Sequence, residues 1–345
     1  VKPELLLNFI VVGCGTLSLL TWMRWLWLLW HGEPLVAGKP RRHVRWRGID
    51  LVVIVAFYIA AQAVCVSAGM AWLEAGDDSP LDVTTVEWST VAWSEEDSAA
   101  PPAESSTAAP TPLETTAEGG SAADGLDTSH PIVQLLRQRH NRGTLLLVLL
   151  SGVLVAPLFE EFLFRALIQS WLAARERLLA RTFSFIGDLP PGALAITTIA
   201  FVFAALHARG GDDPFSVPTA DELVALLAGN AVGNLLTLTF AIIWLVRNCR
   251  VGPRDLGFDL GHLGGDLYLG ISGFAAVIAP AYALQLTLMN LLPNLAVATD
   301  PIPLFLFGLL VGYLYFRTNR LLPSVTAHVC FNALGFLLIS LQLPA

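Results

Sequence analysis

Two adjacent carboxylates and an arginine, Glu160, Glu161 and Arg165, stand inside an otherwise apolar run from Leu145 to Ala174. An ionisable side chain at membrane depth costs about 2.5–3.5 kcal/mol on insertion, so such groups are rare, usually paired and usually functional. On a helix Glu161 and Arg165 lie four apart on one face, acid first, the favourable order for an ion pair. Glu160 is turned about 100° away from that face and has no local partner. A carboxylate left out of structural pairing can take and return a proton.

Few other polar, titratable side chains interrupt the apolar segments. His207 closes the run Phe201–His207, and His328 and Asn332, four residues apart, share one helix face in a later run. A lone histidine in a membrane segment is more often a packing or interface residue than a catalyst. Two histidines, an asparagine and a spare glutamate on three segments are harder to assign to packing, because each alone costs insertion energy. Hydrogen bonding to one another around a water would offset that cost.

The elements that must position these residues follow from composition. Of 345 residues 54% are hydrophobic and 14% charged, with a mean hydropathy of +0.62. A soluble domain is about 25% charged, so the chain is expected to be an all-α, polytopic membrane helix bundle. A soluble enzyme is excluded, and no nucleic-acid partner is expected. A span needs about 20 apolar residues. Eight segments qualify or nearly so: roughly 5–30, 50–75, 144–173, 192–207, 222–246, 267–292, 303–316 and 321–343. The fourth and seventh are short enough to be tilted or partial helices. Trp22, Trp25, Trp27 and Trp30 close the first span like an interfacial aromatic belt. Gly229 with Gly233, and Gly308 with Gly312, give small-xxx-small spacings suited to close helix packing. Cys14, Cys65, Cys249 and Cys330 form no CxxC pair and are expected to be buried small hydrophobes.

Lys and Arg in the loops set orientation. Lys39, Arg41, Arg42, Arg45 and Arg47 follow the first span, and Arg175, Arg177 and Arg181 the third. Arg247, Arg250 and Arg254 follow the fifth, and Arg317 and Arg320 the seventh. Opposite loops are poor in basic residues, apart from Arg137, Arg139 and Arg142 before the third span. The pattern places the basic loops in the cytoplasm and both termini outside, in a multi-pass protein of the plasma membrane. Residues 77–130 carry twelve acids, no Lys or Arg, and much Ser, Thr, Ala and Pro. Such a stretch buries no core and reads as a disordered outer linker. It divides a two-span piece, 1–76, from a six-span core, 131–345.

Glu-Glu-x-x-x-Arg (160, 161, 165), Phe-x-x-x-His (203, 207) and His-x-x-x-Asn (328, 332), in that order on separate spans, resemble the three motifs of the CPBP family. These are CAAX-protease and bacteriocin-processing, or Abi, intramembrane proteases related to the type II CAAX prenyl endopeptidase. Ala156-Pro-Leu-Phe159 and Gly312-Tyr-Leu-Tyr-Phe-Arg-Thr318 add to the resemblance, which covers about 131–345. It implies an endopeptidase acting on a membrane-associated peptide or protein, prenylated CAAX-type substrates included. Glu160 would then activate a water that His207 helps to hold, while His328 and Asn332 stabilise the oxyanion. Glu161 and Arg165 would be a structural ion pair. No cofactor is required in this scheme. If zinc takes part, Glu160, His207 and His328 would be its ligands, although no HExxH is present. A non-catalytic protein that kept the fold, a transporter or an immunity-type scaffold, is the alternative. Counted along straight helices, His207 falls near the outer end of its span, His328 near the inner end of its own and Glu160 at mid-depth. Tilted or offset spans are therefore needed to bring them together.

Overall fold

The computed structural model describes residues 3–38, 44–77, 135–136, 142–207, 219–291 and 301–341. Among these residues the regular elements are helical and no strand occurs. Helix α1 (Pro3–Trp30) and α2 (Gly48–Asp77) precede α3 (Arg142–Thr182), a continuous helix with π-helical stretches at Leu149–Val155 and Phe162–Gln169. The short α4 (Ser184–Gly187) leads to α5 (Ala193–Leu206) and α6 (Ala220–Cys249). A 3₁₀ turn (Leu260–His262) then opens α7 (Leu263–Leu291), α8 (Pro301–Thr318) and α9 (Leu322–Ser340). Among the described residues seven helices are long and apolar enough to cross a membrane, and α5, with 14 residues, is shorter. The chain is thus the polytopic all-α bundle that its composition predicts. The linker expected at 77–130 lies, beyond Asp77, outside the described residues, as do Lys39, Arg41, Arg42, Arg137 and Arg139.

In hydrocarbon every backbone N–H and C=O must be satisfied within the chain, which is why apolar segments of this length fold as helices. The bundle carries leucine, valine and phenylalanine on its outer surface, Leu5, Val52 and Phe201 among them. Its few charged side chains sit inside: Glu161, Arg165 and Asp266 are fully buried. The four cysteines are free thiols and half-buried rather than buried.

The two N-terminal helices pack against the outside of the later ones. Helix α2 lies along α6, and α1 lies along α7. A Cβ on Gly229 would stand 3.0 Å from the Cys65 carbonyl oxygen and from Val66 Cα, and one on Gly233 would press on the Gln62 amide. Gln62 Nε2 donates to Asn234 Oδ1 across the same contact at 2.7 Å. Trp46 Nε1 donates to the Leu167 carbonyl at 3.2 Å, tying the segment before α2 to α3. Of the four tryptophans expected at the interface, Trp25 is buried and Trp22 donates to the Ala276 carbonyl of α7 at 2.9 Å. Trp27 and Trp30 remain exposed. Trp25 is therefore a helix-packing residue, while Trp22, 40% exposed, is tied to α7 by its hydrogen bond. The boundary near residue 76 divides the chain without dividing the packing.

Two offsets set the depth of the site. With 41 residues, α3 is about 60 Å long, twice the thickness of a hydrocarbon core. Far along it, the buried Glu176 accepts hydrogen bonds from the backbone N–H of Gly192 (2.6 Å) and Leu194 (3.0 Å). Helix α5 therefore begins beside Glu176, about 24 Å along α3 from Glu160. Its 14 residues rise about 21 Å, so its C-terminal end returns to the depth of Glu160. Gly192 makes the entry turn at φ +87°, where a Cβ would overlap the Phe316 ring.

The second offset lifts α9. Val251 and Leu256, in the loop after α6, are buried beneath it, and the Leu321 N–H donates to the Gly257 carbonyl at 2.9 Å. Arg320 and the buried Asp266 form an ion pair at 2.6 Å beside that loop. Helix α9 starts on this platform, so His328 reaches the site from its second turn.

Overpacking a filled interior costs about 1–3 kcal/mol. Gly229→Val is therefore expected to lower the thermal unfolding midpoint of the detergent-solubilised protein. Gly15→Val, at a position with no atom within 4 Å of its added Cβ, should leave the midpoint nearly unchanged.

Candidate active site

The turn of α3 that carries the acids, Ala156–Glu161, is bracketed by the two π-helical stretches. In the first, the Ala156 N–H donates to the Ser151 carbonyl, five residues back. In an α-helix its acceptor would be Gly152. The freed Gly152 carbonyl accepts instead from Asn332 Nδ2 at 2.8 Å. Asn332 thus stands one turn above His328 and clamps α9 to α3 through a backbone group that the π geometry releases.

Glu161 has two partners. One carboxylate oxygen, Oε2, lies 3.3 Å from Arg165 Nε, with both side chains fully buried. The other, Oε1, lies 3.0 Å from His328 Nδ1. Adjacent glutamates point about 100° apart on a helix, so one imidazole placed beside them can face both. His328 does so, its Nε2 standing 3.7 Å from Glu160 Oε2. A carboxylate behind Nδ1 fixes both the tautomer and the orientation of the ring. Phe203 and Phe307 box the imidazole edge-on, with centroids 5.6 and 5.2 Å away.

His207 arrives from the opposite side. Its Nδ1 engages the Phe203 carbonyl at 2.8 Å, one turn back, and its Nε2 stands 3.9 Å from the same Glu160 Oε2. Both imidazoles therefore have Nδ1 occupied and present Nε2 to one carboxylate oxygen. The side chains of Glu160 and His207 are 23% and 37% exposed, against 4% for His328. Glu160 and His207 are thus open at the bundle surface, and His328 is sealed inside it.

The structure brings together Glu160, His207 and His328 on three helices, with Glu161 and Arg165 directly behind. Asn332 is adjacent, with its amide held by Gly152. Sequence reasoning missed three features. The contact of Glu161 with His328 depends on how α9 is raised. Gln169, one turn beyond Arg165, accepts from Arg165 Nη1 at 3.5 Å and donates to the Gly312 carbonyl at 2.9 Å. Its polar side chain in a buried apolar run, four residues after an arginine, was the available signal. Tyr58 of α2 stacks on Phe159, with centroids 4.9 Å apart, so α2 also buttresses the turn.

Among the described residues no group of three His, Cys, Asp or Glu side chains is arranged to hold a metal ion. Ligands to zinc would each stand about 2.0–2.2 Å from a shared point. Glu160 Oε2 stands 3.9 Å from His207 Nε2 and 3.7 Å from His328 Nε2, so these three groups are the ones that would hold such an ion.

No curated protein and no solved structure shows a significant match to this chain. The family described as Type II CAAX prenyl endopeptidase Rce1-like matches residues 142–252 and 256–334, more than half of the chain. The matched stretches contain Glu160, Glu161, Arg165, His207, His328 and Asn332, and leave α1 and α2 outside. On that match, the chain belongs to the Rce1-like family of type II CAAX prenyl endopeptidases.

Proposed function

We propose that this protein is an intramembrane endopeptidase in which Glu160 activates the water that hydrolyses the substrate's peptide bond. The substrate class is a membrane-associated peptide or protein, with the prenylated CAAX-type C-terminus as the first candidate because the family carries that name. The observation that carries the reading is the convergence of His207 Nε2 and His328 Nε2 on Glu160 Oε2, at 3.9 and 3.7 Å. These separations exceed a hydrogen bond and suit a water lying between the groups.

In the first step Glu160 takes a proton from the water as its oxygen attacks the scissile carbonyl carbon. His207 Nε2 accepts a hydrogen bond from the water's second O–H and orients the attack. The carbonyl π electrons move to oxygen, and the resulting oxyanion needs fixed donors. His328, as an imidazolium whose Nδ1–H is held by Glu161, supplies Nε2–H. Asn332, whose amide has a second N–H besides the one given to Gly152, is the other donor. Glu160 then passes its proton to the leaving nitrogen as the C–N bond breaks. His207, His328 and Asn332 are each held by another group around Glu160, which supports acid–base chemistry there. Had zinc been used, Glu160, His207 and His328 would be the ligands.

Orientation follows the arginines. Arg45 Nη1 donates to the Arg250 carbonyl at 2.6 Å, and Arg317 donates to the Val36 carbonyl at 3.0 Å. The basic loops therefore gather at one end of the bundle, which we assign to the cytoplasm of a plasma-membrane protein.

Purified protein offered a library of membrane peptides, prenylated CAAX peptides included, should cleave a subset. Glu160→Ala should lose about 10²–10⁴-fold in rate, as loss of a general base does. Equal cleavage by wild type and Glu160→Ala would end the assignment. His207→Ala is expected to lose less, because the base remains.

Exhaustive chelation should leave the rate unchanged. Activity that is lost to chelator and restored by zinc would replace the metal-free mechanism. Breaking a buried ion pair by removing one partner costs about 3–5 kcal/mol. Glu161→Ala should accordingly lower the thermal midpoint much further than Glu160→Ala, as read by unfolding in detergent.

A further inference from the structure

Arg165 is a fully buried guanidinium with two carboxylates within reach of its charge. Its Nε is hydrogen bonded to Glu161, and it is close enough to Glu160 to interact electrostatically. Its Nη2 has no hydrogen-bond partner among the described residues, and its Nη1 is held by Gln169 Oε1. A buried donor without an acceptor costs about 1–3 kcal/mol, and more when it is charged. Without Gln169 a second donor would be stranded, and the remaining strong acceptor nearby is Glu160.

The amide of Gln169 is itself locked. The side chain is buried, and Nε2 donates to the Gly312 carbonyl of α8 at 2.9 Å, which leaves Oε1 directed at Arg165. Gly312 permits the approach: a Cβ there would stand 3.1 Å from Gln169 Oε1 and 3.7 Å from Arg165 Nη1. From α8 inward, the contacts run Gly312 to Gln169, Gln169 to Arg165, Arg165 to Glu161, and Glu161 to His328.

We propose that Gln169, anchored on the Gly312 carbonyl, is a positioning residue that keeps Arg165 on Glu161 and away from Glu160, and thereby holds His328 in its working orientation. The proposal rests on the assignment of Glu160 as the base, and its effect is transmitted through Arg165 and Glu161. An arginine that turned to Glu160 would tie up the reacting carboxylate and release the group that orients His328.

The test uses the full-length protein in detergent, with its histidines ¹⁵N-labelled, as wild type, Gln169→Met and Gly312→Ala. The His328 signal is assigned with His328→Gln. Wild type should show His328 with Nδ1 protonated, and both variants should lose that fixed state. Their kcat should fall about 10–100-fold, the usual effect of removing a partner that orients an active-site group. KM should stay within about twofold, since no substrate contact is touched. A His328 signal and kcat that are unchanged in both variants would overturn the proposal. So would a kcat that falls only in step with the thermal midpoint while the His328 signal stays as in wild type. If Gln169→Met does not fold, Gly312→Ala, which keeps the glutamine and adds one methyl group, decides alone. The ¹⁵N signal is read without turnover. A wild type that cleaves nothing would therefore sink the protease assignment and leave the positioning test standing.

Discussion

A charge in hydrocarbon must find its counter-charge inside the protein, and in this bundle that requirement organises the interior around Glu161. The carboxylate takes Arg165 on one oxygen and His328 on the other, so it joins two positions of α3 to α9. Removing it would strand a guanidinium and an imidazole at once. The aromatic rings of Phe203 and Phe307 then pack against the groups that Glu161 has placed. Structural and chemical demands meet in one side chain. The pair is costly to bury, and the arrangement it enforces leaves Glu160 as the carboxylate that faces open space.

Helix lengths serve the same end. A bundle of eight equal, straight spans would spread Glu160, His207 and His328 over different depths. Glu176 prevents this by capping α5 far down α3, and the loop around Leu256 does so by seating α9 partway up. Each offset is made by polar groups near the basic end of the molecule, where water can still help to solvate them. Depth, in this fold, is controlled from outside the hydrocarbon.

Much of this was legible in the sequence, for physical reasons that can be named. Apolar runs of membrane length admit only helices, so the fold class followed from composition. Glu160, Glu161 and Arg165 stood out because charge in such a run is expensive, and the four-residue spacings paired Glu161 with Arg165 and His328 with Asn332. What stayed hidden depends on tertiary offsets. Nothing near His328 signals that α9 begins on a raised loop, and the contact with Glu161 exists only because it does. The π-helical stretch Leu149–Val155 is equally silent, since Leu-Leu-Ser-Gly-Val-Leu-Val suits an ordinary α-helix. Nor do the tryptophans near the end of α1 signal the hydrogen bond that Trp22 makes to α7.

The π-helical stretches have one more consequence. Each turn of that kind takes in an extra residue for the same advance, so the angular phase of the helix slips by roughly one residue. Helix α3 is therefore several short helices in series, each with its own inward face. A single helical wheel drawn through Arg142–Thr182 would mix lipid-facing with core-facing positions. The pattern of tolerated substitutions before Leu149 should be out of register with that around Glu160. The slip also lets the lipid-facing stripe of the outer turns vary without rotating the acid-bearing turn. In evolutionary terms, the surface that meets the bilayer and the turn that holds the two glutamates are free to change at different rates.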